Sequence, residues 1–234
     1  MRRDIADTWD ALSEEYNFWR EGELAHSRVG GLLAQRPEPC RVAVDAGCGS
    51  GIHAAELAGS ATRVVGFDIS WGMLQLARKL KRERQVVNLA LVVGDAEQPP
   101  LRPGCADFLI SINTLNNTDL DLSLPALSAL VAPQGRLAVQ LFYSRFPRLA
   151  NLTPLRVAYS LRAIPGVILR HGLVDGWRMA RFLLRRDWIR GARKRRLTLP
   201  MLVVQVQRLL PAVRIAAPSP GFAAVTWSPP EPAR

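Results

Sequence analysis

Val44-Asp45-Ala46-Gly47-Cys48-Gly49-Ser50-Gly51 joins a short apolar run to a helix-length one, and the reading of the whole chain turns on it. Glycines at 47, 49 and 51 leave room for a ligand against a strand-to-helix turn, where a side chain would collide. A dinucleotide fingerprint needs its third glycine one position later, where Ile52 stands. No Gly-Lys-Ser/Thr follows, which excludes a nucleoside-triphosphate loop. Asp45 sits at the strand's carboxyl end, an anion that disfavours a pyrophosphate and favours a ligand with a cationic group. Asp68 closes the next strand, where a carboxylate can accept both hydroxyls of a ribose. Asp95-Ala96 closes the third, placed to meet an adenine edge. The ligand so described is a nucleoside with a cationic tail and no phosphates.

Outward from the turn, short apolar runs alternate with helix-length segments. Arg41-Val42-Ala43-Val44-Asp45 reads as the first strand, with a helix through Ala54 to Ala58 after the glycines. Arg63 to Asp68 is a second strand, and Ser70 is an N-cap for a helix carrying Met73, Leu74, Ala77 and Leu80. Leu89 to Val93 and Ala106 to Ile112 are further strands. Leu124 to Val131 reads as a helix, Pro133-Gln134-Gly135 as a turn and Arg136 to Phe142 as the fifth strand. Such alternation predicts an α/β fold, a mostly parallel sheet with helices on both faces and ligands at the strands' carboxyl ends. Before it, Trp9, Leu12, Tyr16 and Trp19 share one helical face, with Asp10, Glu14 and Glu15 expected to turn away. After it, residues 143–197 hold no strand-like run. Thr153-Pro154 opens a helix to Ile164, Pro165-Gly166 stops it, and another is expected from about Asp175 to Arg190. Regular grammar returns with a helix from Leu199 to Leu210 and strands at Val213 to Ala217 and Ala223 to Trp227, seven strands in all. A connection as long as 143–197 exceeds the usual ~2–6 residues and reads as an inserted helical cap.

At these residues the chain resembles the class I S-adenosylmethionine-dependent methyltransferases. Val44 to Gly51 resembles their first motif, Gly66 to Ser70 with Met73, Leu74 and Ala77 their second, and Gly94-Asp95-Ala96 their third. Asp107 to Ser111 with Leu115-Asn116-Asn117 is similar to the fourth, and Leu130 to Leu137 resembles the turn before the fifth strand. The resemblance covers about 41–142 by motif and 198–228 by element order. It implies a Rossmann-like fold and S-adenosylmethionine as cofactor. By the same resemblance Asp45, Gly47 and Gly49 border the cofactor's methionine part, and Asp68 holds the ribose. Ile69 and Ala96 flank adenine, with Asp95 near its amino group. Ser111 and Asn113 lie beside the sulfonium, and Tyr16 closes over the cofactor. The fourth motif usually carries His-His or similar where this chain has Asn116-Asn117, which removes an obvious base. His171 and, after it, Tyr143 are the candidates for that role. His26 and His53 are expected to be structural.

The chain's 234 residues, 48% hydrophobic with scattered Gly and Pro, exclude wholesale disorder, collagen and coiled coil. No apolar run approaches the ~18 residues of a membrane span. The N-terminal segment lacks an apolar signal core, and Cys40, Cys48 and Cys105 show no metal spacing. These features predict a reduced, cytoplasmic protein without a metal site. The net charge of +11 is localised: between 145 and 196 lie fourteen basic residues and two acids, Asp175 and Asp187. Arg178, Arg181 and Arg185 form a helical stripe beside Trp177, Ala180, Leu184 and Trp188, followed by Arg193-Lys194-Arg195-Arg196. Basic amphipathic helices with boundary Trp suit a membrane surface. The same composition can track RNA phosphates, with Trp stacking on bases, or simply be a solvated lid. Aliphatic content between the charges favours a hydrophobic or lipid-like small-molecule substrate, with peripheral contact at the inner face of the membrane, over RNA. The alternatives are an RNA methyltransferase, or a cofactor-binding protein on the same fold that transfers no methyl. By this reading 1–142 carries the N-terminal helix and cofactor half, 143–197 the cap, 198–228 the rest of the sheet and 229–234 a flexible tail.

Overall fold

The computed structural model describes residues 2–22, 26–143, 165, 166, 168, 169, 172–178, 197–219 and 221–230. Two helices, α1 (Arg3–Gly22) and α2 (His26–Leu33), precede β1 (Val42–Ala46). Then follow α3 (Ile52–Ala58), β2 (Arg63–Asp68), α4 (Trp71–Glu83), β3 (Leu89–Val93) and β4 (Ala106–Ile112). A 3-10 turn (Leu115–Asn117) leads to α5 (Leu120–Ser128) and β5 (Val131–Phe142), and the chain closes with α6 (Leu199–Leu209), β6 (Arg214–Ser219) and β7 (Phe222–Trp227). The seven strands lie in the order β3-β2-β1-β4-β5-β7-β6. The first five run parallel, while β7 pairs antiparallel with both β5 and β6.

The central strands are apolar on both faces because both faces are covered. Val44, Leu109, Leu137 and Val139 pack with Leu124 and Leu127 of α5 and Leu202 and Val206 of α6. Their sequence neighbours Ala43, Phe108, Ile110 and Ala138 point the other way, onto Leu32 of α2, Leu57 of α3 and Leu74 of α4. The period of two along each strand thus divides one run of residues between two cores. Phe67 and Phe108 are the bulkiest side chains sealed within them, each stabilising the fold by roughly 1.5–3 kcal/mol of burial.

Several local expectations are corrected. The helix after β4 begins at Leu120, not Leu124, because Asp119 caps it by accepting from the N–H of Asp121 at 3.0 Å. Pro133-Gln134-Gly135 does not precede the fifth strand but lies inside it. Ala106 pairs with Val131 and Phe108 with Arg136, so β5 accommodates the turn as an outward excursion. Pro165 and Gly166, read as a stop, are themselves helical, and helix is present from 172 rather than Asp175. Asp10 does not turn away from the fold. Its Oδ1 accepts from Ser70 Oγ at 2.5 Å and from the Gly72 N–H at 2.8 Å, tying α1 to the start of α4. Ser70 itself accepts from the Met73 N–H at 3.1 Å, the N-cap its sequence position predicts. Most of the 143–197 segment, including the basic stripe beyond Arg178 and the 193–196 run, lies outside the described residues, as do 231–234 of the tail.

Candidate active site at the carboxyl ends of the strands

The β1–α3 turn is built from three left-handed glycines, Gly47 (φ +74°), Gly49 (φ +53°) and Gly51 (φ +80°). Gly47 and Cys48 both donate to the Phe67 carbonyl, at 2.7 and 3.0 Å, which welds the turn to the end of β2. Crowding at two of these glycines comes from the protein. A Cβ on Gly47 would stand 2.2 Å from Thr114 Cγ2 and Oγ1, and one on Gly51 would stand 2.9 Å from Ala77 Cβ of α4. Room for a ligand is therefore not the whole reason for the glycines. Backbone conformation and a neighbouring side chain require them before any ligand arrives.

Asp68 is half-buried at the carboxyl end of β2. Its Oδ2 accepts the Gly49 N–H and its Oδ1 the Ser70 N–H, each at 2.9 Å. With the Ile69 N–H also on this carboxylate, it keeps acceptor capacity for one further donor. Burial pushes this carboxyl above the ordinary Asp value, against the pull of the Ser70, Gly49 and Ile69 N–H groups, and Asp10 adds to the rise. Ile69, half-buried, separates Asp68 from the capping Ser70. Asp45 is almost fully buried in β1, flanked in register by Gly66 and Ile110.

Asp95 and Ala96 follow β3 and are both buried. Arg2 grips Asp95 with two nitrogens, Nη2 to Oδ1 at 2.9 Å and Nε to Oδ2 at 3.2 Å. Burial works to raise the Asp95 carboxyl, but the Arg2 guanidinium and the Glu97 N–H outweigh it and hold it below the usual carboxylate range. Ser111 is buried at the end of β4, its hydroxyl donating to the Ala46 carbonyl at 2.9 Å, so it braces β1 against β4. Asn113 takes a left-handed conformation (φ +61°), a strained state for a residue with a side chain. Ser50 Oγ, Asn113 Oδ1 and Asn116 Nδ2 are buried with no hydrogen-bond partner, a costly condition that a bound ligand can relieve.

Tyr16 packs edge-on against Trp9 within α1, ring centroids 5.2 Å apart. Tyr143, just past β5, donates its N–H to the Gly221 carbonyl at 3.0 Å and packs against the core on the α5 and α6 side. His171 lies outside the described residues. His53 is buried in α3 with Nδ1 3.2 Å from Glu56 Oε2, a structural placement. At the same edge of the sheet, Phe142 and Phe222 meet with ring centroids 4.6 Å apart, and Phe142 is 44% exposed. Asn116 Oδ1 accepts the Phe142 N–H at 2.8 Å, which fixes the orientation of its amide. Sequence reasoning missed Arg2, Thr114 and Asp10. No local pattern announces them, although Asp10 could have been suspected from a helix rich in acids.

The carboxyl ends of β1, β2 and β3 thus bring the carboxylates Asp45, Asp68 and Asp95 around a turn of left-handed glycines. A methyltransferase domain family matches residues 44–139. The chain is 31% identical over 203 residues to the aklanonic acid methyltransferase DauC of Streptomyces sp. (strain C5), covering 82% of this chain and 87% of that one. It is 29% identical over 178 residues to a demethylmenaquinone methyltransferase of Corynebacterium kroppenstedtii, 70% of each chain. A solved methyltransferase structure from Thermotoga maritima superposes with a TM-score of 0.65 at 16% identity, covering 96% of this chain and 99% of that one. The chain is an enzyme of the class I S-adenosylmethionine-dependent methyltransferase superfamily.

Proposed function

We propose that this methyltransferase acts on a hydrophobic or lipid-like small molecule carrying an oxygen atom, bound at the carboxyl ends of β4 and β5. The observation that carries the reading is the Phe142–Phe222 pair beside the buried, unpartnered Asn116 Nδ2. Aromatic rings suit an apolar planar body, and an amide N–H held by its own Oδ1 bond suits an oxygen acceptor on that body. Two relatives support the same reading, being named for demethylmenaquinone and for aklanonic acid.

When bound, S-adenosylmethionine supplies a methyl carbon activated by the sulfonium. Asp68 holds the ribose through its remaining acceptor capacity, with Ile69 and Ala96 against the adenine and Asp95 at its amino group. Asp45, Gly47 and Gly49 border the methionine part, Ser111 and Asn113 stand near the reacting atoms, and Tyr16 covers the site. In-line displacement needs alignment and exclusion of water more than a base. His171 or Tyr143 takes the proton only where the acceptor does not lose it unaided.

The basic, aliphatic sequence of 143–197, read as a cap, suits docking at the inner, anionic face of a membrane. Leu169, Leu173, Val174 and Trp177 are exposed, and the Arg178 guanidinium lies 4.2 Å over the Phe18 ring of α1. No described helix is long and apolar enough to cross a membrane, and the contact proposed is a peripheral one. The test incubates the protein with methyl-tritiated S-adenosylmethionine and host-cell extract, then separates organic, RNA and small polar fractions. Label in the organic phase is expected, together with co-sedimentation on phosphatidylglycerol vesicles. Label in RNA would overturn the reading and make the arginines a phosphate track.

A further inference from the structure

Gln140 is out of keeping with its strand. Leu137, Ala138, Val139 and Leu141 around it are buried and apolar, and Gln140 is buried with them at 3% exposure. Amides at that depth are normally hydrogen-bonded, yet no described residue bonds to this side chain. Ser50 Oγ, Asn113 Oδ1 and Asn116 Nδ2 are sealed from water without a partner, and the Gln140 amide is not among them. The little surface the residue keeps therefore includes that amide.

The sheet explains why it finds no partner. Gln140 leaves β5 on the same face as Ala138, the face covered by α2 and α3. There Ile112 of β4 and Ala224 of β7 stand beside it in register, with Ala138 before it and Phe142 after it. All four are apolar. Only its main chain is held, the Gln140 carbonyl accepting the Asn113 N–H at 3.3 Å. Ala138 is in register with Ile110, and Ile110 with Asp45. Gln140 thus stands two residues nearer the carboxyl ends, at the level of the glycine turn. Phe142 and Phe222, paired across β5 and β7, lie about 7 Å further out on the same face.

We propose that Gln140 is a specificity-determining residue of the methyl-acceptor site, its amide taking a hydroxyl or carbonyl at the inner end of the acceptor. The proposal rests on the reading that an apolar, planar acceptor lies against Phe142 and Phe222. With Asn116 Nδ2 beside Phe142, such a site calls for two oxygen functions on one apolar body. An amide both donates and accepts, so a hydroxyl or a carbonyl can complete it. An acceptor with a single oxygen would leave one of the two amides buried without a bond, the costlier condition.

The test compares the full chain with Gln140→Met, an apolar replacement of similar length. The first readout is the rate of organic-phase label from methyl-tritiated S-adenosylmethionine and host-cell extract, expected to fall about tenfold in the variant. The second is calorimetry on protein saturated with S-adenosylhomocysteine, using 1-naphthol and the 1,2-, 1,3- and 1,4-dihydroxynaphthalenes as probes. Wild type is expected to bind at least one diol about tenfold more tightly than 1-naphthol. Gln140→Met is expected to bind all four alike, with its affinity for S-adenosylhomocysteine and its melting temperature not lowered. A wild type without preference for a diol, a preference kept by Gln140→Met, or unchanged organic label would overturn the proposal. Weaker S-adenosylhomocysteine binding in the variant would overturn it too, marking Gln140 as structural. If wild type labels nothing in the organic phase and binds no naphthalene, the acceptor-site reading beneath the proposal fails first.

Discussion

Replacing Gly47 with alanine separates two reasons for a glycine at that position. At φ +74° an L-residue costs roughly 1–2 kcal/mol in backbone strain. The new Cβ would also stand 2.2 Å from Thr114 Cγ2 and Oγ1, an overpacking that costs roughly 1–3 kcal/mol more. The sum, about 2–5 kcal/mol, is a large share of the ~5–15 kcal/mol that holds a typical domain together. Urea denaturation without cofactor is expected to show that loss in the midpoint with an unchanged slope. In a Thr114→Gly background the same substitution should cost only the strain of about 1–2 kcal/mol, because its collision partner is gone. Were Gly47→Ala to keep its midpoint without cofactor and lose only affinity for S-adenosylhomocysteine, ligand room alone would explain the glycine, and the packing argument would be wrong. Equal costs in both backgrounds would also refute it.

Other consequences are directly measurable. On the proposed reading the ribose meets an ionised Asp68, and burial raises the titration of that carboxyl above the ordinary Asp value. Affinity for S-adenosylhomocysteine should therefore fall as pH drops, and do so above the pH at which an ordinary Asp titrates. Asp68→Asn should abolish that pH dependence and bind about 10- to 100-fold more weakly throughout. In folding stability the two acids act oppositely. The raised Asp68 contributes stability at low pH that is lost as pH rises through its folded value. The lowered Asp95 contributes stability above the unfolded value that is lost as pH falls through its own. A urea midpoint series on Asp95→Asn and Asp68→Asn resolves the opposite signs. Asp10→Ala removes the acceptor for Ser70 Oγ and the Gly72 N–H; it should cost about 1 kcal/mol and lower the melting temperature by about 2–4 °C. Asn116→Leu should raise KM for the methyl acceptor about tenfold while S-adenosylhomocysteine binding, measured by calorimetry, stays unchanged.

The parts legible in sequence are those decided by neighbours along the chain. β2, β3 and β4 occupy the residues that their apolar runs mark, and Ser70 caps α4 because the cap bond reaches only three residues. Asp68 ends β2 and Asp95 follows β3 after Gly94, positions that the apolar runs ahead of them mark in the sequence. Misreadings arose where a local signal was outvoted or overlooked. Asp119 was a visible N-cap five residues ahead of the expected helix start, and the Pro133 turn was absorbed by a strand pairing that begins at Val131. Arg2 meets Asp95 and Asn117, and Thr114 meets Gly47, across separations that no periodicity encodes. The roles of Arg2 and Asp10 become visible only once α1 is laid against α4 and the strand ends.

The strand order also sets a schedule for synthesis. β5 leaves the ribosome with one edge paired to β4 and the other waiting for β7, the last of the seven described strands, which slots between β5 and β6. Leu137, Val139 and Leu141 border that open edge throughout the making of everything between Phe142 and Phe222. A nascent chain is then exposed to intermolecular strand pairing for most of its second half. Truncation before Phe222 should leave the cofactor-facing strands intact yet turn the protein into a ready substrate for holdase chaperones.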